Sequence, residues 1–587
     1  MSAPRPPAPT GRVAPLVSVV TAVHDPEPAH LRECLASVAD QTWSHRVEHV
    51  LVDDGSTSTE IVELLDEVAA ADRTTVIRRP ESGGIVAATN DGLTAATGEW
   101  IAFLDHDDLL EPDAIEAIVT AADAAEADVA YSDHDFLRSD GRFVDPCYKP
   151  DWSPERLRNQ NYVTHLVVAR RDAIERVGGL RTGTDGAQDH DLILRLGEVS
   201  SSIVHVPRVL YHWRQAPTSV AGGSDAKPWA FDAGVRVVRD HCERIGLGAT
   251  VERTDHEGVY RVAHRHAVAA RGDSGESMPL VSVVVPTRGT SGRVWGATRC
   301  FVVEAIRSIV EMSTYTHLEF VVVADDVTPD PVLAALADVA GERLRIVETS
   351  GPFNFSAKMN RGAAEASGEF LLLLNDDTEL VDPGSIDELI GLVTGPAEGP
   401  DGAAGAVAMA GARLWFADGT LQHGGHVYHH DLMHACLGWG GEVPGPWPLR
   451  PLAVARECSG VTAAAALVRR DVFDRVGGFP ADLPLNYNDV DLSLKIRADG
   501  HRIVWTPNAT WFHFESRTRE SRLLDEEYAF INTRWHHEIN NDPYYNPNLA
   551  PDRSDWLERP LRSGAPALVT RPNVVARIAQ RVRNRTS

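Results

Sequence analysis

No stretch of this 587-residue chain is apolar over the roughly 20 residues that a membrane-crossing helix needs. A transmembrane segment is therefore not expected. Residues 1–14 are rich in Pro and Ala and lack the apolar core of a secretory signal, so the sequence predicts a cytoplasmic protein. Cysteine is scarce: Cys34, Cys147, Cys242, Cys300, Cys436 and Cys458 are scattered, with no CxxC pair. That excludes a disulfide scaffold and a four-cysteine zinc site, and leaves reduced thiols. Basic residues are in deficit, 56 Lys and Arg against 84 Asp and Glu, for a net charge of -28. Such a chain repels nucleic acid, whose binding rests on neutralising phosphate. An anionic nucleotide would need a metal or a local basic patch. A Gly-rich basic loop is also missing after the first predicted strand, where Ala22-Val-His-Asp25 stands. Nucleotidyltransferases cradle a triphosphate with such a loop, so its absence counts against that chemistry.

What is present is a globular composition, 43% hydrophobic and 24% charged, in a chain long enough for two large domains. The order of elements repeats. Pro15-Leu-Val-Ser-Val-Val20 returns as Pro279-Leu-Val-Ser-Val-Val284. A second strand ends in paired acids in each half, Asp53-Asp54 and Asp325-Asp326. Thr97-Gly-Glu99 and Ser367-Gly-Glu369 each precede an apolar strand that runs into acids, Asp105-His-Asp-Asp108 and Asn375-Asp-Asp377. Val177-Gly-Gly-Leu180 matches Val476-Gly-Gly-Phe479, and Gln188-Asp-His-Asp-Leu192 matches Asn488-Asp-Val-Asp-Leu492. A repeat this long is a domain duplication and not a solenoid. Strands alternating with helices predict an α/β fold with an open, mostly parallel sheet in each half. The expected layout is a tail at 1–14, a domain at 15–250, a linker region at 251–277, a domain at 278–560 and a basic tail at 561–587. Ligands of such sheets bind beyond the carboxyl ends of the strands, where the paired acids fall.

Alternate residues leaving a strand end project to one side, so Asp105 and Asp107 can converge on one hard cation, Mg²⁺ or Mn²⁺. A tripeptide of this kind alone reads as a solvated acidic loop. Its place after an apolar strand, and its return in the second half, turn the reading to function. Asp189 and Asp489 each open a predicted helix as Asp-x-Asp-Leu, where the dipole keeps a carboxylate ionised. They are the candidate general bases; an ordinary helix start is the bland alternative for one copy, less so for two. His212 and His513 follow them at similar distances, 212 − 189 = 23 and 513 − 489 = 24. Imidazole suits the cation's coordination, and packed core histidines are the other reading. Residues 422–436 hold His423, His426, His429, His430 and His434, but in no standard zinc spacing. A polar acceptor-site loop is the better reading. Arg571, Arg577, Arg581, Arg583 and Arg585, with Val574, Val575, Ile578 and Val582, read either as a short basic amphipathic helix or as a disordered terminus.

Together these residues resemble family 2 glycosyltransferases of the GT-A fold, and more narrowly the tandem-domain enzymes of bacterial rhamnan and O-antigen synthesis. The resemblance runs from Pro15 to about Pro547 and includes Lys149-Pro-Asp-Trp-Ser-Pro154, Asn161-Tyr162, Tyr211-His-Trp-Arg214, Pro352-Phe-Asn-Phe355, Asp418-Gly-Thr-Leu-Gln-His423 and His513-Phe-Glu-Ser516. It implies that Asp53, Asp54, Asp325 and Asp326 contact the nucleotide. It implies a metal-diphosphate motif at Asp105 and Asp107, and at Asp376 and Asp377, with Asp105 and Asp376 also touching the nucleotide sugar. It further implies bases at Asp189 and Asp489 and metal-ligating histidines at His212 and His513. Asn375 departs from the pattern by replacing the first metal acid, and Asp326-Val-Thr-Pro329 lacks the usual Gly-Ser. The activity implied is inverting, metal-dependent transfer from a nucleotide sugar to a glycan or lipid-linked glycan. The donor by analogy is dTDP-rhamnose, with a UDP-hexose second, and peripheral contact with the inner membrane leaflet would follow from a lipid-linked acceptor. One active domain beside a degenerate glycan-binding or regulatory one is the alternative arrangement. A binding protein with two dead sites fits poorly with acids retained in both halves.

Overall fold

A computed structural model describes residues 16–215, 228–265, 278–397, 405–428, 432–434, 437–438, 449–514 and 524–558. The chain divides into two compact units. One comprises Met1–Tyr148 and Val163–Gly234, and the other Lys149–Tyr162 and Val235–Pro560. Both tails and residues 266–277 of the expected linker lie outside the described residues.

The strands of the first unit are β1 (Val17–Val23), β2 (Val47–Asp53), β3 (Thr74–Arg78), β4 (Trp100–Phe103), β5 (Leu109–Leu110), β6 (Val129–Leu137), β7 (Phe143–Cys147), β8 (Val167–Arg170) and β9 (Ile203–Arg214). They form one sheet in the order β3-β2-β1-β4-β8-β6-β9-β5, with β7 beside β6. β1 runs parallel to β2 and β4, whereas β8 is antiparallel to β4 and β6. Val17, Val19, Val20 and Val23 are buried, as a central strand covered on both faces requires.

The second unit includes a hairpin of β10 (Thr250–Arg253) and β11 (Tyr260–Ala263), almost wholly within the stretch read from sequence as a linker region. Its other strands are β12 (Val281–Thr287), β13 (Ser291–Val294), β14 (Ala297–Cys300), β15 (Leu318–Asp325), β16 (Leu344–Thr349), β17 (Phe370–Leu374), β18 (Thr378–Leu380), β19 (Val407–Trp415), β20 (Leu421–His423), β21 (His426–Tyr428), β22 (Leu432–His434), β23 (Arg456–Glu457), β24 (Ala465–Arg469) and β25 (Arg502–His513). The main order, β16-β15-β12-β17-β24-β19-β25-β18, repeats that of the first unit. The α/β class and the tandem architecture expected from sequence are both present.

Two of the repeated motifs are structural devices. Gly98 N donates to Ser18 Oγ at 2.8 Å, and Gly368 N to Ser282 Oγ at 2.8 Å. A Cβ on Gly98 would stand 2.6 Å from Ser18 N, and one on Gly368 2.6 Å from Leu280 O, so only glycine lets the backbones meet. Glu48 and Glu319 complete the two clasps by accepting from Ser18 and Ser282 at 2.5 Å each. In the Gly-Gly motifs, Asn90 brackets the backbone of Leu180, and Asn360 does the same for Phe479.

Residues 149–162 belong to the second unit. Their helix, Pro154–Asn159, is buried throughout. Glu457 accepts from the Ser153 hydroxyl and from Glu155 N, and pairs with Arg502 at 2.6 Å. Glu155 in turn pairs with Arg158 and with His264 Nε2 at 2.8 Å. A buried charge is tolerable only when paired in this way.

Candidate active sites at the strand ends

In the first unit Asp105 and Asp107 follow the carboxyl end of β4. The Asp105 side chain is 47% exposed. Asp108 is different: it is buried, and accepts from Tyr211 Oη at 2.5 Å and Arg214 N at 2.7 Å. Burial, then the charges of Asp107 and Asp105, push its carboxyl well above the usual range. Asp108 therefore anchors the loop to β9.

Asp189 lies in the first turn of the helix Gln188–Val199, half-buried. Burial raises its carboxyl; nearby His165 draws it back and Asp105 raises it again. The two acid motifs, far apart in sequence, thus share one electrostatic neighbourhood. A carboxyl raised by burial suits a general base. The second acid of the motif has another task. Asp191 is fully buried between Arg181 and Arg195, at 2.6 Å from each.

Asp53 and Asp54 are buried and hold the adjoining loop. Asp53 accepts from Ser56 N at 2.9 Å and Arg78 at 2.8 Å. Asp54 accepts from Gly83 N, Gly84 N and Ser82 Oγ, and pairs with Arg79 at 2.8 Å. Burial opposes its charge, but these donors hold its carboxyl below the ordinary range. Gly84, at φ +85°, brings its amide to Asp54 at the start of the helix Ile85–Ala95. Asp25, given no role in the sequence reading beyond closing Ala22-Val-His-Asp25, accepts from Thr57 N and Ser58 N and fixes the other side of this loop.

His212 is not brought to Asp105 and Asp107. Side chains alternate along a strand, and Tyr211 and Trp213 face the acid loop and His165. His212 faces the other side, stacked on Phe143, 2.6 Å from Asp135 and 3.5 Å from Glu111. Burial works against its charge, but the two carboxylates raise it to about 9.

The second unit has the same plan with different contacts. Thr287 pairs with Ala324 where Val23 pairs with Asp53, so Asp325 stands in the place of Asp54 and Asp326 one residue beyond. Asp325 is bound by Lys358 at 2.5 Å, on the helix Phe355–Glu365, whose counterpart in the first unit is preceded by the two glycine amides that Asp54 accepts. Asp326 is exposed. Asp376 accepts from Thr287 Oγ1 at 2.7 Å; burial and then Asp377 push it up to about 7. Asp377 is buried, its Oδ1 3.2 Å from His513 Nε2, and Asn375 Nδ2 is 3.1 Å from the same nitrogen. His513 Nδ1 is hydrogen-bonded to Gln422 Oε1 at 2.7 Å. Asp489, half-buried, accepts from Ala463 N at 3.4 Å; Asp491 is buried beside Lys495 and Arg534.

Carboxylate, carboxamide and imidazole are donors that a divalent cation accepts. Adjacent ligands with bonds of about 2.1 Å lie about 3 Å apart, and Asp377 and His513 meet that spacing at 3.2 Å. Among the described residues no three His, Cys, Asp or Glu side chains form a ready cage. Of the histidine-rich segment, His423 and His426 are buried with rings 5.2 Å apart, and His426 bonds Tyr428 at 3.0 Å. His429, His430, Cys436 and the side chain of His434 lie outside the described residues, as do Glu515 and Ser516.

Sequence reading missed His165 and Lys358, and marked Gln422 only as part of a motif. His165 follows the Asn161-Tyr162 motif closely, but it has no counterpart in the second half to draw notice. Lys358 sits one turn into a helix, at a position that pattern alone gives to packing.

A family model described as glycosyl transferase family 2 matches residues 18–176 and 282–477. The uncharacterized protein y4gI of Sinorhizobium fredii is 35% identical over 560 residues, 92% of this chain and 58% of that protein. The O-antigen biosynthesis protein RfbC of Myxococcus xanthus is 35% identical over 554 residues, 92% of this chain and 41% of its own length. The chain thus spans about half the length of these relatives. Among solved structures, TarS 1–349 of S. aureus in complex with UDP-GlcNAc has a TM-score of 0.32 at 18% identity, covering 38% of this chain and 66% of that one.

Proposed function

The chain belongs to glycosyl transferase family 2, and from that premise we propose that it carries two active sites, one per unit, that build a bacterial cell-surface polysaccharide or a lipid-linked glycan by inverting transfer from a nucleotide sugar. The observation that carries this reading is that each unit has both a strand-end acid loop and a half-buried helix-start carboxylate, Asp189 in one and Asp489 in the other. A relative named for O-antigen biosynthesis supports the polysaccharide product.

The acceptor hydroxyl loses its proton to Asp189 or Asp489 as its oxygen attacks the anomeric carbon. The bond to the nucleoside diphosphate breaks on the opposite face, and the diphosphate departs with the bonding electrons. One displacement inverts the anomeric configuration through an oxocarbenium-like transition state. Asp105 and Asp107, and Asp377 with His513, would hold Mg²⁺ or Mn²⁺, which neutralises charge on the departing diphosphate. Asp53 and Asp54, and Asp325 and Asp326, shape the nucleotide end of each site. The donor is dTDP-rhamnose, with a UDP-hexose as the second choice. No helix among the described residues is long and apolar enough to cross a membrane. The proposal sets the enzyme in the cytoplasm, in peripheral contact with the inner leaflet where its acceptor is anchored.

The test is a panel of nucleotide sugars with Mn²⁺, read first by thermal shift and then by release of nucleoside diphosphate. One donor should stabilise the chain and be turned over. If no nucleotide sugar does either, the reading fails.

A further inference from the structure

We infer that His165 supplies the imidazole of the first site, in the place that His513 fills in the second. This deepens the two-site reading above and rests on it.

The strand registers carry the argument. Leu110 pairs with Tyr211, and Leu380 pairs with Trp511. Leu109 pairs with His212, and Glu379 with Phe512. One residue further, Trp213 therefore stands where His513 stands. The first unit carries an indole at that point, and its neighbour His212 is turned to Asp135 and Glu111 on the other face. Across the site the pattern reverses. Arg170 pairs with Trp100 and Arg469 with Phe370. Five residues back from each, 170 − 5 and 469 − 5, stand His165 and Ala464. One unit thus has His165 with Trp213, the other Ala464 with His513.

His165 is held for this role. Its ring stacks on Tyr211 at 4.7 Å and meets Trp213 edge-on at 5.2 Å. Its side chain is 16% exposed, and Nε2 lies 3.9 Å from Asp105 Oδ2. Two ligands of one cation with bonds of about 2.1 Å lie between about 3 and 4.2 Å apart, from adjacent to opposite. The His165–Asp105 and His513–Asp377 separations, 3.9 and 3.2 Å, both fall in that range. The acid that each imidazole meets also alternates. Asp105 serves in the first unit, and its counterpart in the second is Asn375, where Asp377 serves instead.

The experiment uses the full chain with its second site silenced by Asp377→Asn and His513→Ala. Mn²⁺ is titrated in the presence of dTDP and, in parallel, of UDP, and free Mn²⁺ is read by electron paramagnetic resonance. His165→Ala should weaken Mn²⁺ binding by at least about tenfold with an unchanged unfolding midpoint. Adding Trp213→His, which copies the second unit, should restore most of the binding. Binding by His165→Ala within about twofold of its parent overturns the inference. Loss without return in the double variant overturns the equivalence of the two positions. In either case, loss of binding in Asp105→Asn leaves the two-site reading standing. If the parent binds no Mn²⁺, or Asp105→Asn binds as the parent does, that reading falls as well.

Discussion

His513 Nε2 lies 3.2 Å from Asp377 Oδ1, while its Nδ1 is hydrogen-bonded to Gln422 at 2.7 Å. With Nδ1 as the donor to Gln422, the Nε2 lone pair accepts from Asn375 Nδ2 at 3.1 Å beside the Asp377 carboxylate, and a cation that displaces that amide would bind both imidazole and carboxylate. Transfer should therefore stop in excess chelator and return with Mg²⁺ or Mn²⁺. Product formation at the full rate with chelator present would exclude metal dependence.

The two acids of each Asp-x-Asp-Leu motif should separate by what they damage. Asp189→Asn should abolish transfer at the first site, and Asp489→Asn transfer at the second, with unfolding midpoints near that of the wild type. Asp191→Asn should instead destabilise the first unit by about 3–5 kcal/mol, because it leaves Arg181 and Arg195 facing a neutral group. Product analysis and calorimetry on the same variants check both halves. Full product at the normal rate from either Asp189→Asn or Asp489→Asn would mean that its unit does no chemistry, the alternative with one degenerate domain.

Much of this was legible in the sequence, because buried β-branched runs that end in acids announce strand ends, and the duplication announces two units. The faces of the histidines were not. The spacings of 23 and 24 residues looked equivalent, but side chains on a strand alternate with period two, so one residue decides the face. The pairing of β9 with β5, and of β25 with β18, sets that register, and no local pattern reports it. Asp325 shows the same effect: its place opposite Asp54 follows from how β15 pairs, while its partner Lys358 comes from a helix 33 residues on, 358 − 325.

The pH dependence of stability should show His264. Burial opposes its charge, but Glu155 and then Glu388 more than reverse this and raise its pKa. A raised folded value adds stability that is complete below the unfolded pKa of about 6.5 and is lost as pH rises through the folded one. Glu155 runs the other way. Burial would raise it, yet Arg158 and His264 hold it well below the carboxylate range, so its contribution is lost only in acid. Scanning calorimetry should give a midpoint that falls more steeply above pH about 6.5 in the wild type than in His264→Gln. Equal slopes would remove His264 from the account.

The segment from the first half of the chain that enters the second unit should be felt there as stability. Glu457 accepts from Ser153 and from the backbone of Glu155, and it neutralises Arg502 at 2.6 Å with its own side chain fully buried. Glu457→Ala removes these contacts together and leaves a buried guanidinium unpaired, which costs about 3–5 kcal/mol. Arg208–Asp113, at 2.9 Å, is also a direct ion pair but nearly half exposed on both sides. Breaking it with Asp113→Ala should cost no more than about 1 kcal/mol, because solvent already screens it. Urea unfolding of both variants, with protease accessibility of residues 149–162 followed in parallel, separates the two cases. Glu457→Ala should lower the midpoint clearly and open that segment to cleavage; Asp113→Ala should do neither. If Glu457→Ala unfolds like the wild type, residues 149–162 contribute nothing to holding the second unit together.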